Sequence, residues 1–207
     1  MSKEILDLND LIDLRAKFGD QKLLGLIKGD YDIVPKISQT PKWREENGVI
    51  YFSVTSDGTA GEEWISRLEG KGFKVGKYSK QLLVSKDFKP TTGITTQIAI
   101  MKGELFKDED RITRIIRAEA EKRNLQKPNA EVACLIREYL TDDDIKAMDL
   151  YWIIVMHEPI NDFGGDPRLL NVSRYVGVDW LSSYCDFPGL RWRRESGFAS
   201  AVSQVSS

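Results

Sequence analysis

The sequence predicts an α+β fold, organised as a single compact domain in which a mixed sheet is combined with helices in the first two thirds. Before residue 150, apolar residues repeat at helical spacing in several segments, and short stretches rich in β-branched and aromatic residues recur between them. From residue 169 onward, aromatic residues, serine and glycine replace the helix formers, which is typical of an antiparallel C-terminal meander. A chain of 207 residues can also bury a substantial core.

Composition narrows the class of protein. Hydrophobic residues make up 41% of the chain and charged residues 30%, as in ordinary soluble globular proteins. The net charge of −2 comes from 30 basic and 32 acidic residues that are closely interspersed, so only a local patch could attract a nucleic acid, and we do not expect one as a partner.

Targeting and redox signals point to the cytoplasm. The first residues contain no apolar signal core, and the longest apolar run, 151–156, is far shorter than the roughly 20 residues that cross a bilayer. Cys134 and Cys185 are the only cysteines, too few for a disulfide framework or a cysteine zinc site. We therefore expect a reduced cytoplasmic protein with no membrane contact.

Three regions of the domain differ in their pattern. Residues 1–47 form a helical N-terminal segment, with helical spacing from 3 to 29, followed by a proline-containing connector. Residues 48–160 carry the alternating strands and helices of a mixed core. Residues 161–207 form the aromatic-rich meander.

The first half of the mixed core begins with a strand and a helix. Residues 49–55 are β-branched and aromatic, which predicts a strand. After a turn, Thr59 and Glu62 match the capping-box pattern, in which the threonine hydroxyl and the glutamate carboxylate satisfy helical N–H groups, and the helix ends near Gly70. Residues 74–84 fit either a strand or a helix.

The later core elements have clearer periodicity. Residues 95–102 alternate as a strand does, and the acidic residues that open 108–124 complement the dipole of a helix. A further helix starts at Asn129, because apolar residues recur at i, i+3, i+4, i+7 and i+8 from Val132. A short helix follows from Thr141.

The last predicted elements are all strands. Residues 151–156 are apolar on both faces, which predicts a central strand. The meander consists of segments 170–175, 180–184 and 198–205.

The most informative feature for function is His157, the only histidine, which lies between the central strand and Glu158. A single imidazole excludes a His–His metal pair within one chain. Its ordinary pKa near 6.5 suits general acid–base catalysis, with Glu158 as an assisting group. The alternative is a structural histidine that bonds a backbone group, and an imidazole sealed in the core rather than open to a cleft would favour that alternative.

Two further features could contribute to chemistry. Cys134 could act as a nucleophile if the fold brings it to His157, although cysteine is commonly a small buried hydrophobe. The oxygen-rich loop around Asp162 and Asp166 could bind a ligand, but it lacks the ligand spacing of an EF-hand, and we expect neither a metal nor a cofactor.

The C-terminal region concentrates the residue types that recur in binding surfaces. Aromatic rings stack on flat ligands, arginine pairs with anions, and both are enriched at protein–protein hot spots. Asp179, Asp186 and Glu195 interrupt the basic field, which favours a protein or a small ligand over nucleic acid. The alternative is packing of strand residues beside a solvated arginine cluster. The candidate binding residues are Trp180, Arg191, Trp192 and Arg193.

Two hypotheses of function follow. The leading one is a non-catalytic binding or protein-interaction module that uses the aromatic and arginine residues of the C-terminal region. The second is a hydrolase or transferase with His157 as general base. Five tryptophans are many for this length, so a homodimer is an alternative to a monomer.

Overall fold

In a computed structural model of the chain, the described residues are 42–175 and 178–203. They belong to one compact unit that begins at Lys42. The helix predicted for residues 3–29, most of the connector and the last residues of the predicted strand 198–205 lie outside the described residues.

The described residues form ten strands, five α-helices and two 3-10 turns, and none of these helices is long and apolar enough to span a membrane. The strands are β1 (Arg44–Glu46), β2 (Val49–Asp57), β3 (Lys74–Val75), β4 (Thr92–Lys102), β5 (Leu125–Gln126), β6 (Trp152–Val155), β7 (Ile160–Asn161), β8 (Pro167–Tyr175), β9 (Val178–Cys185) and β10 (Ser196–Val202). The helices are α1 (Gly61–Gly70), α2 (Lys77–Leu83), α3 (Thr113–Lys122), α4 (Val132–Tyr139) and α5 (Asp142–Ala147), and the 3-10 turns are Gly103–Leu105 and Asp108–Asp110.

All described strands belong to one mixed sheet, which confirms the predicted fold class. The strand order is β1-β2-β4-β10-β6-β8-β9-β3, and β5 and β7 pair with β10 and β8 outside this path. Two pairs are parallel, β10 with β6 and β3 with β9, and the others are antiparallel. Residues 74–84, which fit a strand or a helix in the sequence, contain one of each, β3 and α2.

The predicted central strand is confirmed as β6, which lies between β10 and β8 in the interior of the sheet. Ile153 and Val155 are fully buried in the cluster on one face, and Ile154 is buried in the cluster on the other. A strand that is covered on both faces has no polar side to present to water, which explains its unbroken apolar sequence.

The two faces of the sheet are covered differently. On the first face, α1, α2, α4 and α5 contribute buried side chains such as Trp64, Leu82 and Ile136 to the larger core cluster. On the second face, α3 packs Ile116 against Phe198 and its neighbours in a smaller cluster. On β9, the second-face side chains of Trp180 and Ser182 are half-buried and that of Tyr184 is exposed, so this part of the sheet is open.

The C-terminal strands differ from a simple meander in the position of the third. β8 and β9 form the expected antiparallel hairpin, but β10 inserts between β4 and β6. Phe198 and Ala199 are fully buried on opposite faces, so β10 needs cover on both sides. Gly197 makes the insertion possible, because a Cβ atom there would lie 2.5 Å from Ile100 Cγ2 and 2.7 Å from Leu150 Cδ1.

The start of α1 differs by one residue from the predicted capping box. The N-cap is Ala60, whose N–H donates to the Glu63 carboxylate at 3.1 Å, and alanine has no side-chain acceptor to complete the box. The Thr59 hydroxyl bonds Asp57 instead, at 2.5 Å. The box predicted at Thr59 and Glu62 is therefore wrong, because the Asp57 carboxylate competes for the threonine.

Helix α3 begins later than its acidic residues suggest. Asp108–Asp110 forms a 3-10 turn, and the α-helix starts at Thr113. Between them, the buried Arg111 guanidinium donates to the carbonyls of Phe106 at 3.0 Å and Trp192 at 3.1 Å. These contacts hold the chain away from helical geometry and attach the α3 entrance to the C-terminal region.

We expect Gly61→Ala to destabilise the fold, because a Cβ atom at Gly61 would lie 1.8 Å from the Leu83 carbonyl oxygen where α1 meets α2. A backbone clash cannot be relieved by a rotamer change, so the free energy of unfolding should fall by about 1–3 kcal/mol or more. Chemical denaturation measures this change. The matched control is Gly70→Ala at the other end of α1, where no atom lies within 4 Å, and its effect should lie within about 1 kcal/mol of zero. Equal stabilities of the two variants would contradict the close α1–α2 contact.

Candidate functional site

His157 is sealed inside the protein, with 1% of its surface exposed. Its Nε2 atom accepts a hydrogen bond from the Leu170 N–H at 2.9 Å, so the proton of the neutral ring lies on Nδ1. That Nδ1–H donates to the Glu158 carbonyl at 2.7 Å. Both ring nitrogens are therefore occupied by backbone groups.

The surroundings of His157 keep the imidazole neutral. Burial lowers the pKa of His157 to about 4, and the nearby Arg117 guanidinium acts in the same direction. A neutral ring with both nitrogens bonded cannot take a proton from a substrate without breaking one of these bonds. The geometry thus favours the structural histidine and gives no support to its role as a general base.

The proposed assisting groups do not join His157 in a site. The Glu158 side chain is 75% exposed and pairs with Lys127 Nζ at 2.5 Å, which lowers the pKa of the carboxyl group. Cys134 on α4 is fully buried, and burial raises the pKa of its thiol well above the ordinary value. Because the imidazole bonds only backbone groups, it does not activate this thiol.

In the loop between β7 and β8, the Asp162 carboxylate is hydrogen-bonded to groups of the loop and of β8. Asp162 Oδ2 accepts from Arg168 Nε at 2.5 Å, and this hydrogen bond lowers the pKa of Asp162. Asp162 Oδ1 accepts from the N–H groups of Gly164 at 2.8 Å and Asp166 at 3.1 Å. These bonds favour a role of Asp162 in shaping the loop. Within the described parts of the chain, no three His, Cys, Asp or Glu side chains are grouped in a way that could hold a metal ion.

The open part of the second sheet face carries three aromatic side chains. Trp152 on β6 is opposite Ser173 on β8, and Ser173 is opposite Trp180 on β9, so the three residues form one row across the strands. Neighbouring strands are about 4.8 Å apart, which separates the two tryptophan Cα atoms by about 10 Å. Together with Ser182 and Tyr184, this row lines a cavity of about 270 Å³.

A second cavity, of about 240 Å³, adjoins the first and shares Trp152 and Tyr184 with it. Its outer wall comes from the segment that follows β9, where Leu190 is 39% exposed and Arg191 and Arg193 are exposed. We call the two cavities together the aromatic groove.

Trp192, which we predicted as a binding residue, belongs mainly to the core. It is 7% exposed, and its ring packs edge-on against Phe198 with the ring centroids 6.4 Å apart. Its Nε1–H donates to the Thr113 hydroxyl at 3.1 Å, and its backbone N–H donates to the Arg111 carbonyl at 2.7 Å. Trp192 therefore anchors the wall of the groove to α3 while also lining the second cavity.

The charges at the groove are positive. The Arg193 guanidinium lies over the Trp152 ring at 5.4 Å, and Lys74 Nζ lies over the Trp180 ring at 5.5 Å. The side chains that line the two cavities include two arginines and no carboxylate. Asp186, which interrupts the basic field in the sequence, instead pairs with Arg117 at 3.5 Å, and its side chain is 7% exposed.

The structure places the predicted residues Trp180, Arg191 and Arg193 at the groove, together with Trp152 and Tyr184, which were not among the predicted binding residues. The period-two pattern of Trp180, Ser182 and Tyr184 places these side chains on one face of a strand, and this signal could have identified Tyr184. Trp152 gave no such signal, because it lies in the apolar run 151–156, which predicts a buried strand. Only the strand register brings it to the groove.

The chain matches no protein-family model, no curated protein and no solved structure. No relative therefore contributes to the functional argument. It depends on the geometry and charge of the residues described above.

We expect the imidazole of His157 to titrate near pH 4, because burial favours its neutral form and Nε2 must stay unprotonated to accept the Leu170 N–H. The Cε1–H resonance in proton NMR measures this directly, and the single histidine makes its assignment unambiguous. A midpoint near 6.5 would contradict the sealed environment.

The same shift makes stability depend on pH. Between about pH 6.5 and 4, the unfolded chain binds a proton that the folded chain excludes, so this contribution is present above pH 6.5 and is lost as the pH falls. The loss should amount to about 3 kcal/mol. Denaturation of the wild type and of His157→Gln at several pH values isolates it, since the variant lacks this ionisation.

We expect Trp192→Ala to lower the free energy of unfolding by about 3–5 kcal/mol, because it removes a buried indole. Trp180→Ala is the matched control from the same region. It removes a half-buried ring and should cost less than half as much. Chemical denaturation measures both values. If Trp180→Ala lowered the free energy of unfolding more than Trp192→Ala does, Trp180 and not Trp192 would be the tryptophan that stabilises the fold.

Proposed function

We propose that the protein is a non-catalytic binding module whose partner occupies the aromatic groove. The observation that supports this proposal most directly is the row of Trp152, Ser173 and Trp180 on an open sheet face, with a cation over each tryptophan and no carboxylate in the lining. Exposed aromatic rings beside arginine are the composition of binding hot spots.

The energetics of the exposed rings support a binding role. Tyr184 is 46% exposed, and Leu190, across the adjoining cavity, is 39% exposed. Clustered apolar surface in contact with water is unfavourable, and such patches mark interaction sites. Strands β6, β8 and β9 hold the rings in place, so a partner would lose little free energy in ordering them.

No observation on the described residues favours the hydrolase or transferase hypothesis. The imidazole of His157 and the thiol of Cys134 are both buried away from solvent, and Glu158 is engaged by Lys127. We accordingly place the function in binding rather than in catalysis.

The cellular compartment and the oligomeric state belong to the same proposal. Cys134 and Cys185 are free thiols, which is compatible with a reducing cytoplasm. Composition and charge in the sequence favour a protein or a small ligand as the class of partner, and a second copy of the chain is the alternative that gives a homodimer.

We expect the double variant Trp180→Ala/Arg193→Ala to lose its partner while remaining folded, because it removes one ring and one cation from the groove. Affinity recovery from the native cell, compared with wild type, measures the loss, and it should exceed tenfold for a hot-spot pair. Light scattering on both proteins would show whether the partner is a second copy.

The matched control is Phe163→Ala/Lys86→Ala, which removes an aromatic ring and a cation outside the groove; Phe163 is 78% exposed. This variant should retain its partner. If the wild type and Trp180→Ala/Arg193→Ala recovered equal amounts of partner, the proposal would be wrong.

A further inference from the structure

We infer that the occupant of the aromatic groove is a single strand of nucleic acid, bound over at least two successive nucleotides. The inference rests on the proposed function, since it names the partner of the same groove. It depends on three properties of the groove, namely the sign of its charge, the spacing of its rings and the distance between its cations.

The charge of the groove selects an anion. Among the side chains that the structure describes, no carboxylate forms an ion pair with Lys74, Arg191 or Arg193. A cationic ligand would be repelled, although aromatic rings alone could have bound one. Phosphate groups would provide the missing partners of these side chains.

The spacing of the rings selects a flat ligand. About 10 Å separates the Cα atoms of Trp152 and Trp180, with only Ser173 between them, so a flat group can lie between the rings or on either of them. Bases stack on exposed aromatic rings in this way, with little dependence on sequence. An aromatic sheet face with basic flanks is also a recurrent platform for single-stranded RNA.

A peptide fits the floor of the groove less well. Strands β6 and β8 have hydrogen-bonded neighbours on both sides, so their backbone cannot pair with an added strand. A peptide lying over β6 and β8 would depend on side-chain contacts alone, whereas extended peptides commonly gain affinity from a free sheet edge.

The distance between the cations selects more than one nucleotide. Lys74 Nζ lies over the Trp180 ring on β9, and the Arg193 guanidinium lies over the Trp152 ring on β6. The two ring positions are two strand spacings, about 10 Å, apart. A mononucleotide carries its phosphate at one end only. A strand of two or more nucleotides places phosphates toward both ends and bases on the rings between them.

The local charge of the groove, and not the net charge of the chain, bears on whether a nucleic acid can bind. The net charge of −2 gave no reason to expect a nucleic acid. In the fold, however, Asp186 pairs with Arg117 and lines neither cavity of the groove, and the lining has no carboxylate. The lining of the groove is therefore positive, although the net charge of the chain is not.

The test measures binding of fluorescently labelled 12-nucleotide RNA and DNA single strands to the full chain by anisotropy. Competitors are the duplex of the same sequence, a mononucleotide and a polyglutamate peptide of equal charge. We expect single strands to bind, with affinity that falls as salt rises. Trp180→Ala should weaken binding by about tenfold through lost stacking. Arg193→Ala should also reduce the slope of the salt dependence by about 1. Phe163→Ala is the control and should bind as wild type does.

Each other outcome overturns the inference. Equal binding of polyglutamate or duplex would show that the rings do not stack on bases. Competition by the mononucleotide at the same concentration as the 12-mer would remove the argument from the cation spacing. If no oligonucleotide binds but Trp180→Ala/Arg193→Ala still loses a protein partner, the inference fails and the proposed function stands. If Trp180→Ala/Arg193→Ala binds oligonucleotides and recovers its protein partner as the wild type does, both the inference and the proposed function fail.

Discussion

The hydrogen bonds of the buried imidazole hold together the part of the structure on which the candidate site depends. The ladder between β6 and β8 ends at Ile154 and Asn171, and the next backbone donor, the Leu170 N–H, bonds His157 Nε2 instead of a strand. The His157 carbonyl accepts from Arg117 on α3 at 2.8 Å. One residue thus links the end of the central strand to β8 and to the helix of the second face, and β8 lies under the middle of the groove. A titrating side chain in this position is useful because it is neutral, offering one donor and one acceptor to a buried backbone.

The unequal cover of the two sheet faces produces a rigid groove. Four helices close the first face, whereas the second is closed only as far as α3 and the Trp192 anchor extend. Beyond that limit, Trp180 and Tyr184 stand on a strand whose other face is packed in the core. A partner would therefore meet rings that are already held in position, which lowers the entropy cost of binding. The buried Trp192 and the half-buried Trp180 are both tryptophans, so position and not residue type decides which of them contributes mainly to stability.

Charge is distributed so that a nearly neutral chain can present a positive groove. Carboxylates elsewhere are neutralised in pairs, Glu138 by Arg67 and Lys71, Glu158 by Lys127, and Asp186 by Arg117. Among the side chains that the structure describes, none is a carboxylate paired with Lys74, Arg191 or Arg193. Net charge describes the field far from a protein, whereas recognition depends on the field within a Debye length of about 8–10 Å. The composition therefore constrains long-range attraction and leaves the local surface undetermined.

The elements whose signal is local could be predicted from the sequence. Residues 49–55, the amphipathic spacing from Val132 and the apolar run 151–156 correspond to β2, α4 and β6, because side-chain periodicity follows from the geometry of a single helix or strand. The sequence also identified Trp180 and Arg193 as candidates from their residue types. The tertiary structure alone decided that β10 lies between β4 and β6, that His157 is sealed, and that Trp192 is buried while Trp180 is not. Each of these outcomes depends on contacts between residues far apart in the chain, and no local pattern encodes which distant segment will cover a given side chain.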